Sequence, residues 1–243
     1  MTAPTFTINH TIVTALGITG TYPSGIQEGD KILIIAGEQT TTPSWVFPDG
    51  FTPISSPGSS RNNNNVAIAE MVADGTETGT FSVTSSATKY KSIIVVRWPD
   101  AGAVDSCIGN NGASALAVTS VTRAIAEDHS KALFVACQSS AAARTWSALP
   151  TGYTEGTHVD VTIAASVVLA VFYRDDTGTD AETGALSVTS SAANVWSSIN
   201  LVLSPKVTSP WTEWNGSSEV PLVLEGEWDG SAVVPLSFGE IAA

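Results

Sequence analysis

The chain has 243 residues, 43% of them hydrophobic and 14% charged. That is apolar enough for packed cores and too sparsely charged for a disordered chain, and the length allows one large all-β domain or two small ones plus an extension. Ten Lys plus Arg against 23 Asp plus Glu leave a formal charge of −13, which repels phosphate backbones with no basic stripe to offset it, so no nucleic acid is expected as a partner.

The N-terminus, Met1-Thr2-Ala3-Pro4-Thr5-Phe6, lacks the basic and then apolar pattern of a secretory signal, so synthesis and folding in a cytoplasm are expected. No apolar run approaches the ~20 residues that span a bilayer, so no membrane partner is expected. A first strand is placed near 10–14, and strands follow near 31–36, 43–46, 66–73, 80–84 and 91–98. Residues 99–114, rich in Gly and Asn, read as a connector. Strands resume near 131–137, 144–147, 158–163, 166–174, 185–189 and 196–204. Turn signals separate them, among them Pro48-Asp49-Gly50, Ser56-Pro57-Gly58, Pro150-Thr151-Gly152 and Thr177-Gly178. No stretch sustains helical periodicity over ten residues, and Ala-rich 140–144 could hold one helical turn at most.

The second series of strands repeats the first. Lys31 to Ala36 matches Lys131 to Ala136 at an offset of 100, and Trp45 matches Trp146 at 101. Gly79-Thr80-Phe81-Ser82-Val83-Thr84-Ser85-Ser86-Ala87 returns as Gly184-Ala185-Leu186-Ser187-Val188-Thr189-Ser190-Ser191-Ala192, at 105 after a four-residue insertion. Short strands with turns at this spacing predict an all-β fold of tandemly duplicated β-sandwich or jelly-roll-like units. The expected division is 1–104, 105–206 and a C-terminal segment 207–243, with the first two copies packed tightly because each is marginal alone.

Few residues carry chemistry. His10, His129 and His158 have no ligand spacing, and there is no nucleophile elbow, P-loop or dinucleotide fingerprint, so no catalytic residue, cofactor or metal site is assigned and the chain is read as no enzyme. The acidic pairs Glu28/Asp30, Glu127/Asp128, Glu155/Asp160 and Asp175/Asp176 read as solvated turns rather than paired catalytic carboxylates. Asp175 to Glu182 is the best Ca²⁺ candidate, weighed against an ordinary acidic hairpin loop. Two cysteines, Cys107 and Cys137, make no disulfide framework, and a bond between them is disfavoured. Trp45 and Trp146 read as core rather than sugar-stacking platforms, and Trp98 and Trp196 as core or packing between the copies.

After Pro205 the texture changes. Trp214-Asn215-Gly216-Ser217-Ser218-Glu219-Val220-Pro221-Leu222 recurs as Trp228-Asp229-Gly230-Ser231-Ala232-Val233-Val234-Pro235-Leu236, 14 residues on. Alternating runs at 219–225 and 233–238 predict a β-hairpin or ribbon. Such a ribbon cannot cover its own apolar side. Trp211, Trp214, Val220, Leu222, Leu224, Trp228, Val234, Leu236 and Phe238 are therefore the candidate partner-binding residues.

The run Glu28-Gly29-Asp30-Lys31-Ile32-Leu33-Ile34-Ile35-Ala36, then Trp45, Pro48-Asp49-Gly50-Phe51-Thr52 and the repeated tail, resembles tailed-bacteriophage virion proteins of the minor tail or fibre-like kind. Phe51 and Tyr153 stand where those proteins commonly carry Trp. The resemblance implies a non-enzymatic structural or adhesion role in the virion, with other virion proteins as partners. A homo-oligomer, a trimer above other states, is expected through the ribbon. Capsid decoration or a head fibre is one alternative, and a carbohydrate-binding module for host-surface glycan is another.

Overall fold

The computed structural model describes residues 3–10, 14–40, 43–54, 64–99, 101–121, 123–124, 130–140, 142–159, 166–175, 182–183, 185–206, 212–214 and 219–221. The described residues are all-β, built from antiparallel sheets, and hold no helix long and apolar enough to cross a bilayer. Two compact units result, Met1–Lys206 and Val207–Ala243.

In the first half of the body, strands β1 (Thr5–His10), β2 (Ala15–Thr21), β3 (Lys31–Glu38), β4 (Trp45–Val46), β5 (Thr52–Ile54), β6 (Asn65–Val72), β7 (Thr80–Lys89) and β8 (Lys91–Trp98) form two sheets. The larger has the order β1-β8-β3-β6-β5 and the smaller β2-β7-β4. The second half has β9 (Ala101–Thr119), β10 (Arg123–Ala124), β11 (Lys131–Ser140), β12 (Trp146–Ser147), β13 (Thr154–His158), β14 (Ser166–Arg174), β15 (Glu182–Thr183) and β16 (Ser187–Pro205). Its main path runs β12-β16-β11-β14-β13, with β9 added along β16.

The pairing order is the same in both halves. The last part of β16 lies between β11 and the start of β9, as β8 lies between β3 and β1. The first part of β16 pairs β12 and the end of β9, as β7 pairs β4 and β2. The difference is continuity. The first half breaks the chain between β1 and β2 and between β7 and β8; the second runs through as two 19-residue strands with irregular register. The turns after β4 and β12 also agree. Phe51 N–H donates to Pro48 O and Tyr153 N–H to Pro150 O, with Gly50 and Gly152 at φ 86° and 79°, a left-handed position where a side chain is strained.

Three cores follow from the alternation of side chains along strands. Leu33 and Ile35 of β3 face one way and join Leu133, Val135 and Cys137 of β11 in a core shared by the halves. Ile32 and Ile34 face the smaller sheet of the first half, with Ile18 and Val83. Ala132 and Phe134 face the corresponding part of the second half, with Val118, Trp146 and Val188. All eight residues of β3 are buried, which is why its sequence is a near-continuous apolar run rather than an alternation.

Several sequence expectations are corrected here. A strand not expected lies at 5–10, where Thr5-Phe6-Thr7-Ile8 alternates; of the strand placed near 10–14, residues 11–13 fall outside the described residues. The connector at 99–114 is largely strand β9, held by pairing with β16 although its Gly and Asn carry no strand pattern. The residue-104 boundary consequently falls inside a strand. A strand not expected occupies 154–158; of the strand placed near 158–163, residues 160–163 lie outside the described residues.

In the second unit, β17 (Thr212–Trp214) pairs β18 (Glu219–Pro221) as an antiparallel hairpin, with Trp214 opposite Glu219. Of the runs at 219–225 and 233–238, only Glu219–Pro221 is described, so the ribbon expected between them falls outside the described residues. Residues 222–243 lie outside the described residues.

Candidate functional site

The halves place a polar cluster at the same point of the fold and fill it differently. In the first, Glu38 ends β3 and stands directly opposite Lys91, the first residue of β8. Both side chains are wholly buried, with Lys91 Nζ 3.3 Å from Glu38 Oε2. Lys91 Nζ also donates to the carbonyls of Ala15 (2.6 Å) and Ala87 (2.8 Å), with that of Lys89 at 3.4 Å. Ser85 Oγ donates to Glu38 Oε2, while Glu38 Oε1 accepts no hydrogen bond. Burial lowers the Lys91 amine below its usual range, opposed by the Glu38 charge and its hydrogen bond.

In the second half, Gln138 occupies the place of Glu38 and Ser190 that of Ser85. Ser190 Oγ donates to Gln138 Oε1 at 2.6 Å, and Gln138 Nε2 donates to the carbonyls of Ala192 (3.1 Å) and Ala115 (3.4 Å). Those alanines are the counterparts of Ala87 and Ala15, at offsets of 105 and 100. One neutral amide therefore does in the second half what an ion pair does in the first.

The junction of the halves carries a second set of polar contacts. Asn64 Nδ2 donates to Cys137 O at 2.9 Å and Val195 O at 3.2 Å, and Cys137 Sγ lies 2.8 Å from Asn64 Oδ1. Ser92 Oγ donates to Val167 O at 2.7 Å. Trp98, fully buried, donates through Nε1 to Asp175 Oδ1 at 2.9 Å, and Lys131 Nζ donates to Asp175 O at 2.6 Å. These bonds satisfy polar atoms that the shared core would otherwise strand, which fixes one register between the halves.

The sequence-predicted residues distribute as follows. Trp98 sits in the shared core, as expected for packing between the copies. Trp146 and Trp196 are core in the second half, whereas Trp45 is only half-buried; its ring lies 6.3 Å from that of Phe47 and its Nε1 donates to Asn65 Oδ1. Asp30 is no solvated turn: it is 3% exposed, bonded by Arg97 Nε at 2.6 Å and by Gln27 N–H at 2.9 Å. Glu155 and His158 are half-buried and bonded to each other on β13. Asp175 is committed to Trp98 and Lys131. Residues 176–181, like Glu127, Asp128, His129 and Asp160, lie outside the described residues. Among the described residues no group of three His, Cys, Asp or Glu could hold a metal ion.

Neither Cys107 nor Cys137 is in a disulfide; the first lies on β9 and is half-buried, the second is sealed in the shared core, where burial pushes its thiol up to about 12. Of the candidate partner-binding residues, Trp214 lies on β17 and Val220 on β18; Trp211, Leu222, Leu224, Trp228, Val234, Leu236 and Phe238 lie outside the described residues. The Glu38–Ser85–Lys91 and Gln138–Ser190 clusters escaped the sequence reading. The signal was there, since Glu38/Gln138 and Ser85/Ser190 fall in register within the duplication.

Comparison with known proteins finds no matching family model, no matching curated protein and no matching solved structure.

Proposed function

We propose that the chain is a non-enzymatic structural protein of a tailed-phage virion, a minor tail or fibre component that assembles through its C-terminal ribbon. The reading rests on the sequence texture shared with such proteins. The observation that carries it is the W-[ND]-G-S-x-x-V-P-L repeat, whose first copy starts at Trp214, the last residue of β17, and contains β18. A hairpin of this size needs a covering surface. Trp214, Val220, Leu222, Trp228, Val234 and Leu236 would supply it by packing on a neighbouring subunit or on copies of themselves, each large side chain contributing ~1.5–3 kcal/mol on burial. The same device would serve a capsid decoration or head fibre.

The test is light scattering after size-exclusion chromatography on the full chain and on residues 1–206. A trimer or larger oligomer for the full chain and a folded monomer for the truncation supports the reading. Normal assembly of a Trp214→Ala, Trp228→Ala double variant would count against it.

A second reading, adhesion to a host-surface glycan, is favoured by one contrast. Trp45 and Phe47 remain half-buried and stacked at an interplanar angle of 26°, whereas Trp146 is internal. Aromatic faces partly open to water are what sugar rings stack on. Loss of binding in a glycan array on Trp45→Ala, with oligomeric state unchanged, would separate this role from assembly.

A further inference from the structure

We propose that Lys91 and Glu38 condense into an intramolecular amide that covalently ties β3 to β8. Three observations lead there. The two residues are direct partners in the β3–β8 ladder, so their side chains leave adjacent strands at the same level. They meet in a wholly buried place, with Nζ 3.3 Å from Oε2. Glu38 Oε1 is buried without a hydrogen bond, while Oε2 is held by Ser85. One carboxyl oxygen is anchored and the other has nothing to keep it.

The second half supplies an independent argument, because its matching place holds an amide. The Gln138 carbonyl accepts from Ser190 and its nitrogen donates to Ala192 O and Ala115 O. An amide between Lys91 and Glu38 would reproduce that pattern. Its oxygen, formerly Oε2, would accept from Ser85, and its single N–H would donate to Ala87 O or Ala15 O, which Nζ already reaches. The surroundings are matched to a neutral amide, and a buried ion pair is the costlier occupant.

The step balances without a co-reactant. The Lys91 ammonium passes one proton to Oε1, the acceptor that lacks one. This leaves an amine with a free lone pair, which burial of the Lys91 ammonium favours. The Nζ lone pair attacks Glu38 Cδ and forms the C–N bond. Ser85 O–H holds the oxygen on which negative charge develops. The Cδ–Oε1 bond then breaks, and Oε1 leaves as water with a second proton from Nζ. Lys–NH3⁺ and ⁻OOC–Glu become Lys–NH–CO–Glu and one water. Holding the two groups in contact in a dry site supplies the effective concentration the reaction needs.

The experiment is mass spectrometry of the intact, denatured full-length protein, followed by tryptic peptide mapping. The expected result is a mass one water below that of the sequence, no cleavage after Lys91, and a branched peptide joining the segment containing Glu38 to that containing Lys91. Lys91→Arg should restore the full mass. A loss of water that persists in Lys91→Arg, as from a succinimide at Asp49-Gly50, would overturn the proposal. So would a wild-type protein at full mass that trypsin cleaves after Lys91. Neither reading requires the variant to fold, because the wild-type map alone decides.

Discussion

The two halves share a strand order and differ in how they fill one buried polar place. The first uses Glu38, Ser85 and Lys91; the second uses Gln138 and Ser190 against the corresponding backbone carbonyls. The comparison shows what the fold requires there. It needs a donor for two carbonyls and an acceptor for one serine, and an ion pair or a neutral amide can supply them. A buried ion pair is weak evidence for stability, whereas breaking one is strongly destabilising because it strands the remaining charge.

The largest expected effect comes from breaking that pair on one side only. Lys91→Met should cost about 3–5 kcal/mol in chemical denaturation, since it leaves the Glu38 carboxyl buried without its cation. The reciprocal change sharpens the comparison. Gln138→Glu places a carboxyl in the second half with no lysine, so its folded pKa should be raised by burial. A raised pKa contributes stability below the unfolded value and loses it as pH rises. The variant should therefore fall furthest behind the wild type at neutral pH and recover towards about pH 4. Equal deficits at both pH values would show that the two places are not equivalent.

The junction is next. Trp98→Ala removes a fully buried ring from the shared core and the donor to Asp175, and should cost about 3–5 kcal/mol. The same truncation at Trp45, half-buried at the edge of one half, should cost clearly less. Asn64→Ala leaves Cys137 O and Val195 O without the amide that joins them, an expected loss of about 1–3 kcal/mol read from the urea midpoint.

The last effect appears only at alkaline pH. The Cys137 thiol rises from 9.0 to about 12 on folding. The unfolded chain therefore releases a proton above about pH 9 that the folded chain keeps, so stability is intact below that value and declines as pH climbs towards 12, by at most ~1.4 kcal/mol per unit. Cys137→Ser should flatten this limb. Alkylation of the native protein should modify Cys107 first.

How much of this was legible varied with the kind of signal. β3 and β11 were plain in the sequence because both faces are covered, which demands an unbroken apolar run. β9 was not, because what makes it a strand lies on β16. Its Gly112 is placed where an added Cβ would fall 2.2 Å from the Trp196 ring, so a residue that reads as a connector is the one the packing allows. β5 is three residues long and contains Pro53, and nothing local announces it. Asp30 read as a turn acid because its partner, Arg97, is 67 residues away. The polar clusters were hidden for the same reason, although the sequence repeat holds Glu38/Gln138 and Ser85/Ser190 in register. Trp214 and Val220 lie on paired strands, but that Trp214 stands opposite Glu219 was not to be read from apolar alternation alone.

The shared core has a consequence for how the chain is made. Leu33 and Ile35 belong to one core with Leu201 and Leu203, near opposite ends of the body. The first half emerges from the ribosome with the inner face of its large sheet bare. At roughly 5–20 residues per second, about 5–20 s pass before β16 arrives to cover it. Assembly so dominated by distant pairings is slow and exposes apolar sheet to other nascent chains. The body can be expected to need chaperone protection while it is being synthesised, and to tolerate poorly any stall between residues 100 and 187.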